Sequence, residues 1–212
     1  MERIDINKQS SIRIENGAVV YVDPWEVPAH EGDADIIFVT HDHFDHFSPE
    51  DIEKLKNDAT VLVVPEGMKR AALRKTSVKE ANCLAVKPGK TYVADGISFE
   101  TVASYNRTKH FHPIGSGFCG YIVTLGDERY FITGDTDDTP EMRRAHCDVL
   151  LLPVGGTYTM NVEEAAELAA AIAPKVAIPT HYGSVVGKSG DGEAFREKLK
   201  ALNPDVETLL LL

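Results

Sequence analysis

The segment His41-Asp42-His43-Phe44-Asp45-His46 places three histidines and two aspartates within six consecutive positions. Side chains of these types are rarely buried unless they are paired or bind metal, so the cluster is poorly explained as core. Neutral imidazole and carboxylate are the ligands that zinc and similar divalent ions take. The segment follows Ile36-Ile37-Phe38-Val39, an unbroken apolar run that reads as a buried strand. At the end of such a strand His41 and His43 project to one side, while the turn swings Asp45 and His46 to another. That arrangement can feed two adjacent cations, and two cations sharing a carboxylate activate water toward an acyl or phosphoryl centre.

Two more loops carry ionisable residues at predicted strand ends. Gly134-Asp135-Thr136 follows Arg129–Thr133, and Thr180-His181-Tyr182-Gly183 follows Val176–Pro179. Between them, Gly155-Gly156-Thr157-Tyr158-Thr159 joins a strand to a helix start, where backbone N–H groups can hold an anionic group. A simple turn and helix cap explains that segment equally well. Lys109, Arg107 and Tyr182 are candidate substrate contacts, whereas His30 and His146 lie outside the motifs and read as surface or core residues.

The elements that must position these groups fall into two rhythms. The first part reads as strands: Ile12–Ile14 and Val19–Val22 around the tight Asn16-Gly17 turn, then Ile36–Val39 and Thr60–Val64. Ser48 as N-cap with Pro49 at the first helical position opens a helix through Leu55, and Glu66–Arg74 reads as another. Strands follow at Leu84–Val86, Thr91–Val93, Ile97–Ala103, Phe118–Leu125 and Arg129–Thr133, the last two joined at Gly126-Asp127. From Val149 the pattern alternates: strand Val149–Pro153, a capping box at Asn161 opening helix Ala165–Ala173, strand Val176–Pro179, helix Gly192–Leu202 and strand Val206–Leu211. Hairpins first and alternating elements later imply two sheets packed face to face with helices outside.

The order THDHFDH, then GDTD at 134–137, then PTHYG at 179–183 resembles the metallo-β-lactamase-fold superfamily of metal-dependent hydrolases. It is most similar to small bacterial and archaeal Zn-dependent hydrolases in the branch of ascorbate-6-phosphate lactonase-type enzymes. The resemblance runs from Val22-Asp23-Pro24 to the His181 loop and implies an αββα sandwich, an α/β arrangement of two mixed sheets flanked by helices, spanning 1–212 as one domain. It implies a first metal held by His41 and His43 with a third ligand, a second held by Asp45, His46 and His181, and Asp135 bridging both. The third ligand is sought between the first motif and Asp135: alignment puts Asn106 where the family more often has His, with His110 and His112 a few residues later. Pro113 fixes the backbone beside His112, and Gly115 and Gly117 let the loop fold tightly, which favours His112 over His110. His112 is then either that ligand or a proton donor to the leaving group, and Asp45 orients the nucleophile. Zinc stands first among the implied metals, with manganese, iron and nickel also suited to these ligands.

Composition bounds the rest. With 33 Asp plus Glu against 22 Lys plus Arg, the net charge of −11 argues against a basic nucleic-acid face. Three cysteines without CxxC spacing suit a reducing compartment, and the polar N-terminus shows no signal-peptide core, so the cytoplasm is the expected location. No apolar run is long enough to span a bilayer. The expected partner is a small substrate, with an anionic one allowed because two divalent ions would reverse the local charge; a homo-oligomer is compatible with the sequence. The expected function is hydrolysis of a small ester, lactone or phosphoester by metal-activated hydroxide. Alternatives are a metal-binding regulatory protein of the same fold, and a nuclease or phosphodiesterase of the superfamily. The nuclease is weakened by the lack of a basic surface and inserted domain, and a glyoxalase-II-type thioesterase by the lack of an extra helical domain.

Overall fold

A computed structural model describes residues 3–29 and 31–212, so His30 lies outside the described residues. The first sheet runs β1 (Arg3–Ile6), β2 (Ile12–Glu15), β3 (Val19–Val22), β4 (Ala34–Phe38), β5 (Lys56–Pro65) and β6 (Cys83–Val86), in that spatial order. β1 to β3 form an antiparallel meander, and β3 to β6 are parallel. The second sheet contains β7 (Thr91–Ala94), β8 (Ile97–Ala103), β9 (Cys119–Leu125), β10 (Glu128–Ile132), β11 (Val149–Pro153), β12 (Val176–Thr180) and β13 (Glu207–Thr208), again in sequential order across the sheet. It is antiparallel through β10 and parallel from β10 to β13.

Alternation along the central strands explains the layering. Ile36 and Phe38 of β4 face the core between the sheets, together with Tyr130 and Ile132 of β10 and Val149 and Leu151 of β11. Their neighbours point outward beneath helices: Ile37 under α1 (Pro49–Leu55) and α2 (Lys69–Lys75), and Phe131, Leu150 and Leu152 under α3 (Pro140–Arg143), α4 (Val162–Ile172) and α5 (Asp191–Leu202). A strand buried on both faces must be apolar at every position, which is why these strands read as unbroken runs. Phe38 meets Phe99 and Tyr121 of the facing sheet with ring centroids 4.9 and 4.8 Å apart, and each such buried ring contributes roughly 1.5–3 kcal/mol. Tyr121 Oη donates to the Val39 carbonyl at 2.7 Å, which ties the end of β4 to the second sheet where the histidine turn begins.

Several boundaries depart from the sequence reading. β1 is an addition to the expected strands: Arg3-Ile4-Asp5-Ile6 alternates charge with apolar residues, the pattern of a half-exposed edge strand, over only four residues. The expected strand at Val206–Leu211 shrinks to Glu207–Thr208, since the next stretch of β12 contains Pro179, which has no N–H for a ladder. The helix expected over Glu66–Arg74 begins as a 3₁₀ turn at Glu66–Met68 and becomes α-helical at Lys69–Lys75. α3 is an additional short helix, capped by Thr139 with Pro140 at its start. Among the described residues, no helix is long and apolar enough to cross a membrane.

Candidate functional site

The loops after β4, β8, β10 and β12 converge at one end of the sandwich. Beyond β4, Asp23 at the end of β3 organises the histidine turn: it accepts from Thr40 N at 2.7 Å, from Thr40 Oγ1 at 2.6 Å and pairs with His46 Nδ1 at 2.7 Å. Thr40 has given its single hydroxyl proton to Asp23, so toward His41 Nδ1, at 2.9 Å, it accepts. Both imidazoles therefore carry a proton on Nδ1 and turn Nε2 inward, the nitrogen left to a metal ion. Asp23 also falls within ligand distance of His41 and His46, but its two oxygens are occupied by these partners, which makes it an orienting group.

The other contributors are held by backbone that few side chains tolerate. Asp135 follows Gly134, whose φ is +65° and whose added Cβ would lie 2.9 Å from Thr40 Cβ. His181 follows β12 with φ +58° and donates its N–H to the Gln9 carbonyl at 3.0 Å. Behind it Gly155 packs so closely that a Cβ would meet the His181 carbonyl oxygen at 2.2 Å. His112 has φ +55° and its carbonyl accepts from Asn106 N at 2.8 Å, closing the loop between them.

Together these segments bring His41 Nε2, His43 Nδ1 and His112 Nε2 face to face, with His112 Nε2 3.2 Å from His41 Nε2 and 3.1 Å from His43 Nδ1. Asp135 Oδ2 stands 3.5 Å from His112 Nε2 and 3.3 Å from His181 Nε2, and Asp135 Oδ1 stands 3.4 Å from His46 Nε2. Asp45 Oδ2 is 3.4 Å from His181 Nε2 and 3.7 Å from His46 Nε2. Two sets result, His41, His43, His112 and Asp135 on one side and Asp45, His46 and His181 on the other, each with ligand atoms within 4.8 Å of one another. His46 Nε2, His181 Nε2 and Asp135 Oδ1 are buried without a hydrogen-bond partner among the described residues. Buried polar atoms are seldom left so, and orphans that converge on one point fit a cation between them.

Electrostatics favour the same reading. Burial, reinforced by His46, His112 and His43, drives His41 well below its usual pKa, and burial takes His112 down to about 4 against the pull of Asp135. Both are neutral at pH 7 and able to ligate. Burial acts the same way on His46 but is outweighed by Asp135, Asp23 and Asp45, which raise it to about 9. The acids thus draw positive charge to His46 Nε2, where a metal ion would compete with the proton. At Asp45 burial opposes ionisation, yet His181 and His46 outweigh it and hold the carboxyl well below the usual range.

The profile of the family described as the beta-lactamase superfamily domain matches residues 3–181. The chain belongs to this β-lactamase superfamily. The UPF0173 metal-dependent hydrolase of Archaeoglobus fulgidus is 30% identical over 93% of this chain and 90% of that protein. A candidate metal-dependent hydrolase from Parabacteroides distasonis shares its structure with a TM-score of 0.79 and 29% identity, over 98% of this chain and 91% of the other. Igni18, a metallo hydrolase from Ignicoccus hospitalis, superposes with the same TM-score of 0.79 at 19% identity, over 98% of this chain and 93% of the other, a likeness of fold. The two mixed sheets flanked by helices are those of the metallo-β-lactamase fold. The chain is accordingly a member of a family of metal-dependent hydrolases.

Within this β-lactamase superfamily site the remaining predicted residues separate. His110 is exposed and away from the cluster, so of the two loop histidines the structure brings in His112. Asn106 is not turned toward the histidine nitrogens as a ligand: its Nδ2 donates to the Phe111 carbonyl at 2.8 Å and the Tyr158 carbonyl at 2.6 Å, and lies 3.2 Å from His112 Nδ1. Lys109 is paired with Asp137 and stands 3.8 Å from Glu164, anchoring the loop instead of facing a substrate. Tyr182 is buried in the core beneath α4 and α5, and Gly155 packs behind His181; neither, nor Gly156, lines the cleft over the site. Arg107 and His146 are exposed.

That cleft has a volume of about 230 Å³ and is lined by His43, Asp45, Asp135 and His181 at its base and by Phe44, Phe111, Tyr158 and Val185 around them. The sequence reading missed these apolar walls, together with Asp23, Thr40 and Gln9. Asp23 carried a signal, a carboxylate at the end of a buried strand; the exposed aromatics carried none, because a lone surface Phe is ordinary.

Proposed function

We propose that this protein hydrolyses a small ester, lactone or phosphoester with two divalent cations, zinc first among them. His41, His43 and His112 would hold one, Asp45, His46 and His181 the other, and Asp135 would bridge. The observation that carries the reading is the convergence of three imidazole nitrogens, with His41 Nε2 and His43 Nδ1 3.2 and 3.1 Å from His112 Nε2, beside buried polar atoms that have no hydrogen-bond partner among the described residues. When bound, such ions lower the pKa of water and polarise the scissile group.

The chain's own residues divide the remaining work. Asp45 stays ionised across physiological pH and reaches the cleft, so its carboxylate accepts a hydrogen bond from the attacking water and orients it. His112, neutral and facing two other imidazoles, is better placed as a ligand than as a proton donor, so the leaving group takes its proton from solvent in the open cleft. Asp23 and Thr40 fix the tautomers of His46 and His41. The test is elemental analysis and ester-hydrolysis assay of Asp135→Ala and His181→Ala. Both are expected to lose metal content and activity together; full metal occupancy with unchanged turnover in either variant contradicts the assignment.

A further inference from the structure

Four of the large apolar side chains left exposed on this surface, Phe44 at 65%, Phe111 at 47%, Ile114 at 74% and Val185 at 42%, belong to the segments that form the site. Three of them line the cleft, and Tyr158 completes its wall with its ring 4.6 Å from that of Phe111, edge to face. Among the described residues lining the cleft there is no Lys or Arg, and Lys109, the cation nearest in sequence to His112, is bound to Asp137. The ions expected at the base serve the scissile carbonyl, so a further anionic group lying against these walls would lose its hydration with no Lys or Arg of the lining to replace it. A neutral apolar group gains from the same walls.

Resting on the hydrolase reading above, we propose that the substrate is a neutral carboxylic ester or lactone whose acyl part carries an apolar group about the size of one aromatic ring. A cavity of ~150 Å³ holds a benzene molecule, so about 230 Å³ takes a ring together with the ester linked to it. In the reaction water adds its oxygen to the acyl carbon and the carbon–oxygen bond to the alcohol breaks. One proton of the water ends on the departing alcohol oxygen, and the other goes to solvent as the product acid ionises. The sequence alone allowed an anionic substrate on the strength of the metal charge; the lining of the cleft argues for a neutral one.

The test compares kcat/KM of the zinc-loaded protein for methyl phenylacetate, methyl acetate and monomethyl succinate, which share a leaving group, and for phenyl phosphate. Methyl phenylacetate is expected to exceed methyl acetate at least tenfold, the effect of burying one ring, and to exceed both anionic compounds. A second readout uses phenylacetamide as a neutral aryl probe. Trp25, the single tryptophan, stands 5.7 Å from Phe44 edge to face, so probe binding is followed by Trp25 emission. Phe111→Ala is expected to weaken that binding at least fivefold with metal content retained. Faster turnover of monomethyl succinate or phenyl phosphate, or equal turnover of methyl acetate, overturns the substrate class and leaves the hydrolase reading standing. Probe binding without turnover of any of the four compounds overturns the hydrolase reading and the ester with it.

Discussion

Asn106 shows how a residue can sit in the right place for one role and perform another. Expected as a candidate third ligand, it spends both amide protons on the Phe111 and Tyr158 carbonyls and holds its N–H on the His112 carbonyl. It is a positioning residue: it closes the loop that presents His112. Partners of this kind typically govern metal affinity by 10–100-fold. Asn106→Ala is therefore expected to weaken binding of the metal held by His112 by about that factor in a chelator-competition titration, and Asn106→Asp to fail as a rescue, since a carboxylate cannot donate to two carbonyls. Unchanged affinity in Asn106→Ala would remove this role. The first motif, Asp135 and His181 were legible because residue type, spacing and strand-end position all agreed. Alternation could not choose between His110 and His112, because residues two apart fall on the same side of an extended segment; the left-handed backbone at His112 is a feature only the folded loop shows.

At the scale of elements, the strands that carry the site were legible because burial on both faces makes them uniformly apolar. Those that failed, β1 and the end of β13, lie at sheet edges, where polar residues and proline obscure the pattern. α1 does more than cover the first sheet. Asp51 in its first turn accepts from Glu26 N at 2.9 Å and Val27 N at 3.1 Å, and from Lys54 Nζ at 2.9 Å, fastening the segment after β3 that carries Trp25. Burial alone would raise the Asp51 pKa, but the hydrogen bonds of Ser48, Lys54 and Val27 outweigh it and lower it. A carboxyl lowered on folding stabilises the protein above its unfolded pKa of about 3.9, and that contribution fades as pH falls through the folded value. Asp51→Asn is expected to cost about 1.5 kcal/mol in urea unfolding at pH 7, with the difference from wild type shrinking toward pH 3. A difference that grows on acidification would contradict the assigned sign.

For the whole molecule, the net charge of −11 has a local meaning. Asp45 and Asp135 stand at one end of the sandwich, where the loops after four strands meet, and the apolar rim of Phe44, Phe111 and Val185 surrounds them. A fold of many chemistries supplies this frame, and the site grafted on it decides the reaction. The two-sheet architecture could be read from the order of hairpins and alternating elements, but the cleft could not: its walls come from residues scattered between positions 44 and 185 that only tertiary structure assembles. The paired metal centre is tested most directly by anomalous scattering at the zinc edge from crystals of the zinc-loaded protein. Two peaks are predicted, one bounded by His41, His43 and His112 and the other by Asp45, His46 and His181, with Asp135 between them. A single peak, or density lodged against Asp23 with His112 uninvolved, would contradict it.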